Sequence, residues 1–546
     1  MSRPGQERAV PAGAGQARRA VVIGGGIAGL ASAALLAEAG YQVDLLEKRA
    51  DLGGRTGFWQ SEGFRFDTGP SWLLMAEVFD HFFTQLGTSS AEQLDLVRLD
   101  PAYRVYYEGY DEPVQIGADV PGNVAAFERL ERGAGLQLLD YLVSASRTYR
   151  MALEHFLYTS FTSWRDLARW PVLRQAHRLG PLLLRSLQGH IAGRFTDTRL
   201  RQVLGYPAVF LGSSPDRVPS MYHLMSALDL TGGVYYPQGG FTRIIEAIAT
   251  LAHERGVQIH TGTTVSAITT EPASNSGLGG RRGTRARATG VTYRRADGTT
   301  NGTTDGPTGN LRADVVVAAT DLHHLDHALL PAHLRDRSAR WWQRHDPGPG
   351  GVLVHLGIRG RLPELTHHTL LFTADWARNF GQIRSGQVPR PASVYVCTPS
   401  RTDASVAPPD MENVFLLVPV PADPSIGRGG LDGHGDPVVE EVADDAIATL
   451  AHHADIPDLA ERIVLRRTVG PGDFEEDLHA WRGAMLGPAH TLAQSAFFRT
   501  PNASRRVAGL YLAGAGTIPG IGLPMCLISA EILRDRILAE QRDRAR

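Results

Sequence analysis

The 546-residue chain has two cysteines, Cys397 and Cys526, and one lysine, Lys48. Cysteines so far apart form no disulfide framework, and neither belongs to a Cys-x-x-Cys pair, so the chain suits a reducing cytoplasm. It also lacks an excess of either charge. Lys and Arg number 55 against 57 Asp and Glu, a net charge of −2, which implies no pull on nucleic acid and excludes it as a partner. Metal-ligand patterns are poor. His323 and His327 stand four apart on an expected helix, and His367-His368 and His452-His453 are adjacent pairs. No carboxylate follows in the His-Glu-x-x-His manner and the pairs lie in unrelated segments, so no metal is expected. There is no Gly-x-Ser-x-Gly elbow and no repeat of solenoid period. Asn301 and Asn502 head glycosylation sequons in form only.

Uninterrupted apolar helices are missing as well. Residues 20–37 and 507–530 carry no charge and are each long enough to span a bilayer. The first contains Gly24, Gly25, Gly26 and Gly29 in a fixed pattern. The second contains five glycines with Pro519 and Pro524, which would break a lipid-exposed helix. Arg18-Arg19 imitates a twin-arginine signal, but no small-residue cleavage site follows. Both runs therefore read as buried parts of a ligand site, and neither a signal nor a span is expected.

A composition of 43% hydrophobic and 21% charged residues describes a globular protein, and the length calls for two or three domains. Residues 19–47 read as strand, glycine turn, helix and strand, one βαβ unit. In Gly24-Gly25-Gly26-Ile27-Ala28-Gly29 the first glycine permits a tight turn, and Gly26 lets the backbone approach a pyrophosphate. Gly29 lets the helix lie close to the sheet, with its N-terminus facing the anion. Glu47 ends the second strand, 23 residues after Gly24, where an acid binds the ribose of a dinucleotide. Residues 124–230 are mainly helical, strands return around 256–268 and 311–320, and residues 509–537 read as strand, glycine turn and final helix. Residues 274–287, 297–310 and 426–437 read as extended hairpin loops without chemistry.

The segment after Glu47-Lys48, with Gly53-Gly54-Arg55-Thr56, resembles the paired-glycine motif of amine oxidase and phytoene desaturase flavoproteins. Asp67-Thr68-Gly69-Pro70-Ser71-Trp72 is similar to the segment those families place beside the isoalloxazine ring. The C-terminal run Gly514-Ala515-Gly516-Thr517, with Pro519-Gly520 and Gly522-Leu523-Pro524-Met525, has the carotenoid form, since amine oxidases usually carry an acid after the first glycine. Tyr235 to Gly240 resembles the family's re-entry into the nucleotide domain, and Val265 falls where its backbone meets adenine. On these motifs the chain is identified as a member of the bacterial-type phytoene desaturases, within the amine oxidase-like flavoproteins.

The resemblance implies an α/β fold: a Rossmann-like FAD-binding domain with an inserted mixed-sheet substrate domain and a helical subdomain. The expected division is a tail at 1–18 and FAD-binding parts at 19–98, 239–335 and 501–546. Substrate-domain parts then fall at 99–238, which holds the helical subdomain, and at 336–500. Implied further are hydride transfer to FAD from phytoene or a related long polyene, an apolar isoprenoid substrate, and oxygen or a quinone as terminal electron acceptor. A helix beginning near Gly522 would aim its amides at the flavin pyrimidine edge. No proton acceptor is named by the sequence. Another carotenoid reaction in the same fold (isomerase, ketolase or later desaturation) is an open alternative, and an amine oxidase or a non-catalytic prenyl-lipid carrier a more distant one.

Residues 165–201 hold eight arginines against Asp166 and Asp197, interleaved with Trp164, Trp170, Leu173, Leu179 and Leu182 to Leu184. Such a stretch is either a solvated helical face or a surface for anionic lipid. A hydrocarbon substrate held in lipid favours the second, and with it a cytoplasmic protein peripheral on the inner face of the cell membrane.

Overall fold

The computed structural model describes residues 18–160, 176–273, 284–296 and 306–545. Its centre is a five-stranded sheet in which every neighbouring pair is parallel. The order is Leu510–Leu512, Val315–Ala318, Arg19–Ile23, Gln42–Leu46 and Gln258–His260. These strands are apolar because both faces are covered, and alternate residues divide between two cores. Ala20, Val22, Val43 and Leu45 face one core, while Val21, Ile23, Leu46 and Val316 face the other.

On the first face the helix Ile27–Glu38 joins the two central strands. Its alanines and Gly29 let it lie close to the sheet, and it packs against the helices Thr242–Glu254 and Leu523–Ala545. On the second face lies an antiparallel sheet of Thr263–Pro272, Ala286–Arg295 and Thr308–Arg312, edged by Val507–Ala508. Segments from the start, middle and end of the chain thus share one three-layered body.

A seven-stranded mixed sheet forms the second body, ordered Ile463–Val469, Gly350–Arg359, Met411–Val420, Val394–Cys397, His368–Phe372, Tyr103–Tyr107 and Val114–Ile116. Period-two alternation sets its faces. Val352, Val354, Leu356 and Ile358 pack under the helix Pro437–His453, and Leu353, Leu370, Tyr395 and Leu417 turn toward the first body. Helices Val120–Leu130, Ala134–Ala152, Ala176–Leu184, Leu187–Ala192 and Thr198–Gly205 cover one end of the cleft.

Residues 426–436 correct one expectation. They are not a free hairpin. Gly430 and Leu431 pair with the edge strand through Thr468 and Arg467, and a Cβ on Gly429 would stand 2.0 Å from the Thr468 carbonyl oxygen. The glycines let the loop cap a sheet edge whose backbone groups need partners. Most of the other two expected loops, the sequon at Asn301, and Trp164, Trp170 and Leu173 lie outside the described residues. The second sequon residue, Asn502, is fully buried and its amide donates to Ile518 O and Ser529 Oγ. No described helix is long and apolar enough to cross a membrane.

Candidate functional site

The carboxyl ends of the parallel strands open onto a cavity of about 740 Å³, closed on its far side by the seven-stranded sheet. Open α/β sheets bind ligands at this edge, because strand ends and helix N-termini converge there.

At one end the turn at Gly24 has φ +103°, which excludes a side chain, and its amide donates to Leu46 O. Glu47 is only 8% exposed. Its carboxylate accepts from the Gly25 amide at 2.6 Å and the Arg49 amide at 2.9 Å, so it is held in place with lone pairs to spare. Lys48 donates to Glu476 O, and burial lowers its pKa. Val265 lies here too. His324 and His479 stack at 3.9 Å between ring centroids, and burial pushes both down to about 4, so both are neutral.

In the middle, Gly26 pairs with Gly53, and a Cβ on Gly54 would stand 3.4 Å from Gly26 Cα. Two glycine turns therefore face each other with no side chain between. The Arg55 guanidinium donates to Met485 O at 2.9 Å, and burial depresses its pKa.

At the other end stand Pro70, Ser71 and Trp72. Trp72 stacks on His368 at 4.3 Å with the planes 10° apart, and the Tyr395 hydroxyl donates to Ser71 Oγ at 2.6 Å. Gly514 and Ala515 lie in the turn after the strand Leu510–Leu512, and Gly522 precedes the helix Leu523–Ala545, whose first turn faces the cavity. His490 holds that turn. The Ile521 amide donates to its Nε2 at 3.1 Å, so the neutral ring carries its proton on Nδ1 and donates it to the Tyr222 hydroxyl at 2.8 Å. A Cβ on Gly520 would stand 2.2 Å from the same ring.

The remainder of the wall is mostly apolar, with Asn379, Ser393 and Ser495 among the exceptions. Phe210, Phe372, Trp376 and Phe380 line the depth, and Leu183, Leu492, Phe497 and Phe498 line the mouth.

Every residue expected to hold the cofactor lines this cavity except Gly29: Gly24, Gly26, Ile27, Ala28, Glu47, Lys48, Gly53, Gly54, Arg55, Thr56, Pro70, Ser71, Trp72, Val265, Gly514, Ala515, Gly522, Leu523, Pro524 and Met525. Gly29 lies behind the wall, where a Cβ would come 1.9 Å from the Gly24 carbonyl oxygen; its part is to let the helix approach the turn. Sequence reasoning missed Asp321, Tyr395, His479, Met485 and His490. They come from segments with no glycine signature, and only chain packing brings them to the cavity.

Among the described residues, the one group of His, Cys, Asp or Glu side chains close enough to hold a metal is His367, His368 and Cys397, with ligand atoms within 4.8 Å of one another. Strand register explains the gathering, since His368 lies opposite Cys397. The rings are buried behind the cavity wall, His367 against Tyr236 and His368 on Trp72.

The wall suits a dinucleotide joined to a flat ring. It offers an anchored acid for ribose, a side-chain-free cradle for pyrophosphate, the part-buried Arg55 guanidinium, and a helix N-terminus at the far end.

Comparison with known proteins agrees. The flavin containing amine oxidoreductase family matches residues 27–533. The carotenoid 3,4-desaturase of Haloarcula japonica is 36% identical, over 95% of this chain and 98% of its own. The zeta-carotene-forming phytoene desaturase of Myxococcus xanthus is 32% identical, over 96% and 94%. Among solved structures, an oxidoreductase from Methanosarcina mazei superposes with a TM-score of 0.58 at 18% identity, covering 95% of this chain and all of that one, a likeness of fold.

Proposed function

From its membership of the flavin containing amine oxidoreductase family, where it is an FAD-dependent carotenoid desaturase acting on a long polyene, we propose that this chain takes phytoene or a close relative through the apolar mouth of its cavity. The observation that carries the substrate reading is one continuous cavity with a polar, glycine-built half and an aromatic and aliphatic half.

Glu47 would hold the adenosine ribose. Gly24, Gly26, Gly53 and Gly54 would leave room for the pyrophosphate, and Trp72, Ala515 and the turn at Gly522 would border the flavin ring. When bound, FAD supplies a two-electron acceptor for hydride. The chain's own residues do the rest. Phe210, Phe372 and Trp376 grip a hydrocarbon by contact alone, at about 0.8 kcal/mol per buried CH₂, so chain length is read by where the cavity ends. They would also keep bulk water out while an allylic carbon gave up a hydride to the flavin and its neighbour gave up a proton to a basic group of the cavity wall, the two C–H bonds broken leaving the new C=C bond. Delocalisation over the polyene stabilises the positive charge that develops. Oxygen or a quinone then takes the electrons.

We place the FAD-binding parts at 19–98, 239–335 and 501–546, with the substrate parts between. A membrane surface is the source of the hydrocarbon, which keeps the protein peripheral on the inner face. In support, Leu183, Phe497 and Phe498 line the mouth and are also 37%, 41% and 64% exposed, while Leu184 beside them is 84% exposed. An apolar lip of this kind is costly in water and favoured in lipid.

Expression in a host that accumulates phytoene tests the substrate. Coloured polyenes with extended conjugation are expected on pigment analysis. Colourless cells containing flavin-loaded protein would remove phytoene as substrate and leave the cofactor in place. Conversion of already desaturated polyenes alone would move the enzyme to a later desaturation.

A further inference from the structure

Arg499 is 5% exposed and stands one layer behind the cavity wall. Its guanidinium donates to Thr517 O at 3.0 Å, Gln494 O at 3.1 Å, Pro488 O at 3.1 Å and Ala515 O. Two of these carbonyls belong to the Gly514–Gly522 turn that borders the proposed flavin ring. The ionisable groups near Arg499 are the Tyr222 hydroxyl and the Cys526 thiol, both neutral and neither a carboxylate; burial lowers its pKa to about 10, so it keeps its proton at neutral pH. Arg55, part-buried in the cavity wall, is held by the carbonyls of Met485 and Ala484 and has the Asp321 carboxylate acting on it. Cys526 lies within the field of both: burial raises its thiol to about 11 against the pull of Arg55 and Arg499.

Hydrogen bonds from carbonyl dipoles satisfy the donors of a buried guanidinium but do not cancel its charge. Taking such an ion out of water costs several kcal/mol unless an anion compensates it. The turn Arg499 supports lines the cavity where FAD would sit, and a flavin ring gains negative charge on reduction. A fixed cation there stabilises the reduced form more than the oxidised one, and differential stabilisation of two redox states is a shift in potential.

We infer that Arg499 is a positioning residue whose buried positive charge, acting through the Gly514–Gly522 turn, raises the reduction potential of the flavin. The inference rests on the FAD reading above. It assigns a role to a residue outside the glycine motifs and outside the cavity lining.

The test is the two-electron midpoint potential of the purified flavin-loaded protein, followed by equilibration with a reference dye. Arg499→Gln removes the charge and is expected to lower the equilibrium constant for reduction at least tenfold, about 30 mV for a two-electron couple. Arg499→Lys keeps the charge with a poorer fork and is expected to retain most of the potential. If Arg499→Gln does not fold, Arg499→Met, which also removes the charge, is measured in its place and is expected to lower the potential likewise. Equal losses in the lysine and glutamine variants would mean that turn shape matters and charge does not. An unchanged potential with weaker FAD retention would mean that Arg499 serves binding only. Either result overturns the inference, whereas a wild-type protein that carries no flavin would sink the cofactor reading instead.

Discussion

At the scale of single residues, burial sets the protonation states around the cavity. Asp229 is 3% exposed and accepts from the hydroxyls of Tyr206 at 2.8 Å and Tyr103 at 3.1 Å. Burial outweighs these bonds and raises its pKa from 3.8 to about 7. The folded state thus prefers the protonated acid. The stability this contributes is complete below about pH 4 and is lost as pH rises through about 7. Asp229→Asn cannot ionise and keeps an acceptor for both tyrosines. Its melting temperature is expected to fall less than the wild type's between about pH 4 and about pH 8. Some decline remains, because burial also raises Asp67 to about 7. Parallel melting curves for the two proteins would show that Asp229 does not titrate in the fold.

Between elements, one buried ion pair ties the segment Leu322–Leu329 to the residues that lead into the helix Ala339–Arg344, beside the nucleotide end of the cavity. Arg337 meets both oxygens of Asp326, at 2.7 and 3.0 Å, and the Trp342 indole adds a third donor at 3.2 Å. Neither charge reaches water, at 5% and 0% side-chain exposure. Removing one partner strands the other, so Arg337→Met is expected to cost about 3–5 kcal/mol in urea unfolding. The double variant Asp326→Leu with Arg337→Met is expected to recover most of that loss. A double variant as unstable as the single one would place the cost in packing instead. No sequence pattern pairs Asp326 with Arg337, since the contact exists only once the loop between them has closed. The glycine turns are the opposite case. Gly24, Gly53 and Gly54 adopt positive φ for which glycine is selected, so they were legible from the chain alone.

Over the whole molecule, two bodies leave one cavity between them, and its apolar mouth is the surface on which the membrane reading depends. Replacing Leu184 and Phe498 together by serine removes the two most exposed side chains of the lip. Retention on phosphatidylglycerol vesicles is expected to fall about tenfold or more, on the scale of about 1.5–3 kcal/mol for each large apolar side chain moved between water and lipid, with flavin content unchanged. Undiminished vesicle binding would send the search for a docking surface elsewhere on the molecule.

The residues of the nucleotide half were readable without coordinates because pyrophosphate binding demands backbone close to the ligand, and glycine at fixed spacing is the local price of that approach. The substrate half was not readable in the same way. Phe210, Phe372, Trp376 and Tyr395 are ordinary core residues locally, and what makes them a wall is strand register and the meeting of two sheets. Charge follows the same rule. Any sequence shows that Arg55 and Arg499 are cations, but only the tertiary structure decides that both stand among carbonyl oxygens, because those at Arg55 belong to a segment more than 400 residues away and those at Arg499 meet only where the chain folds back on itself around the turn after Gly514.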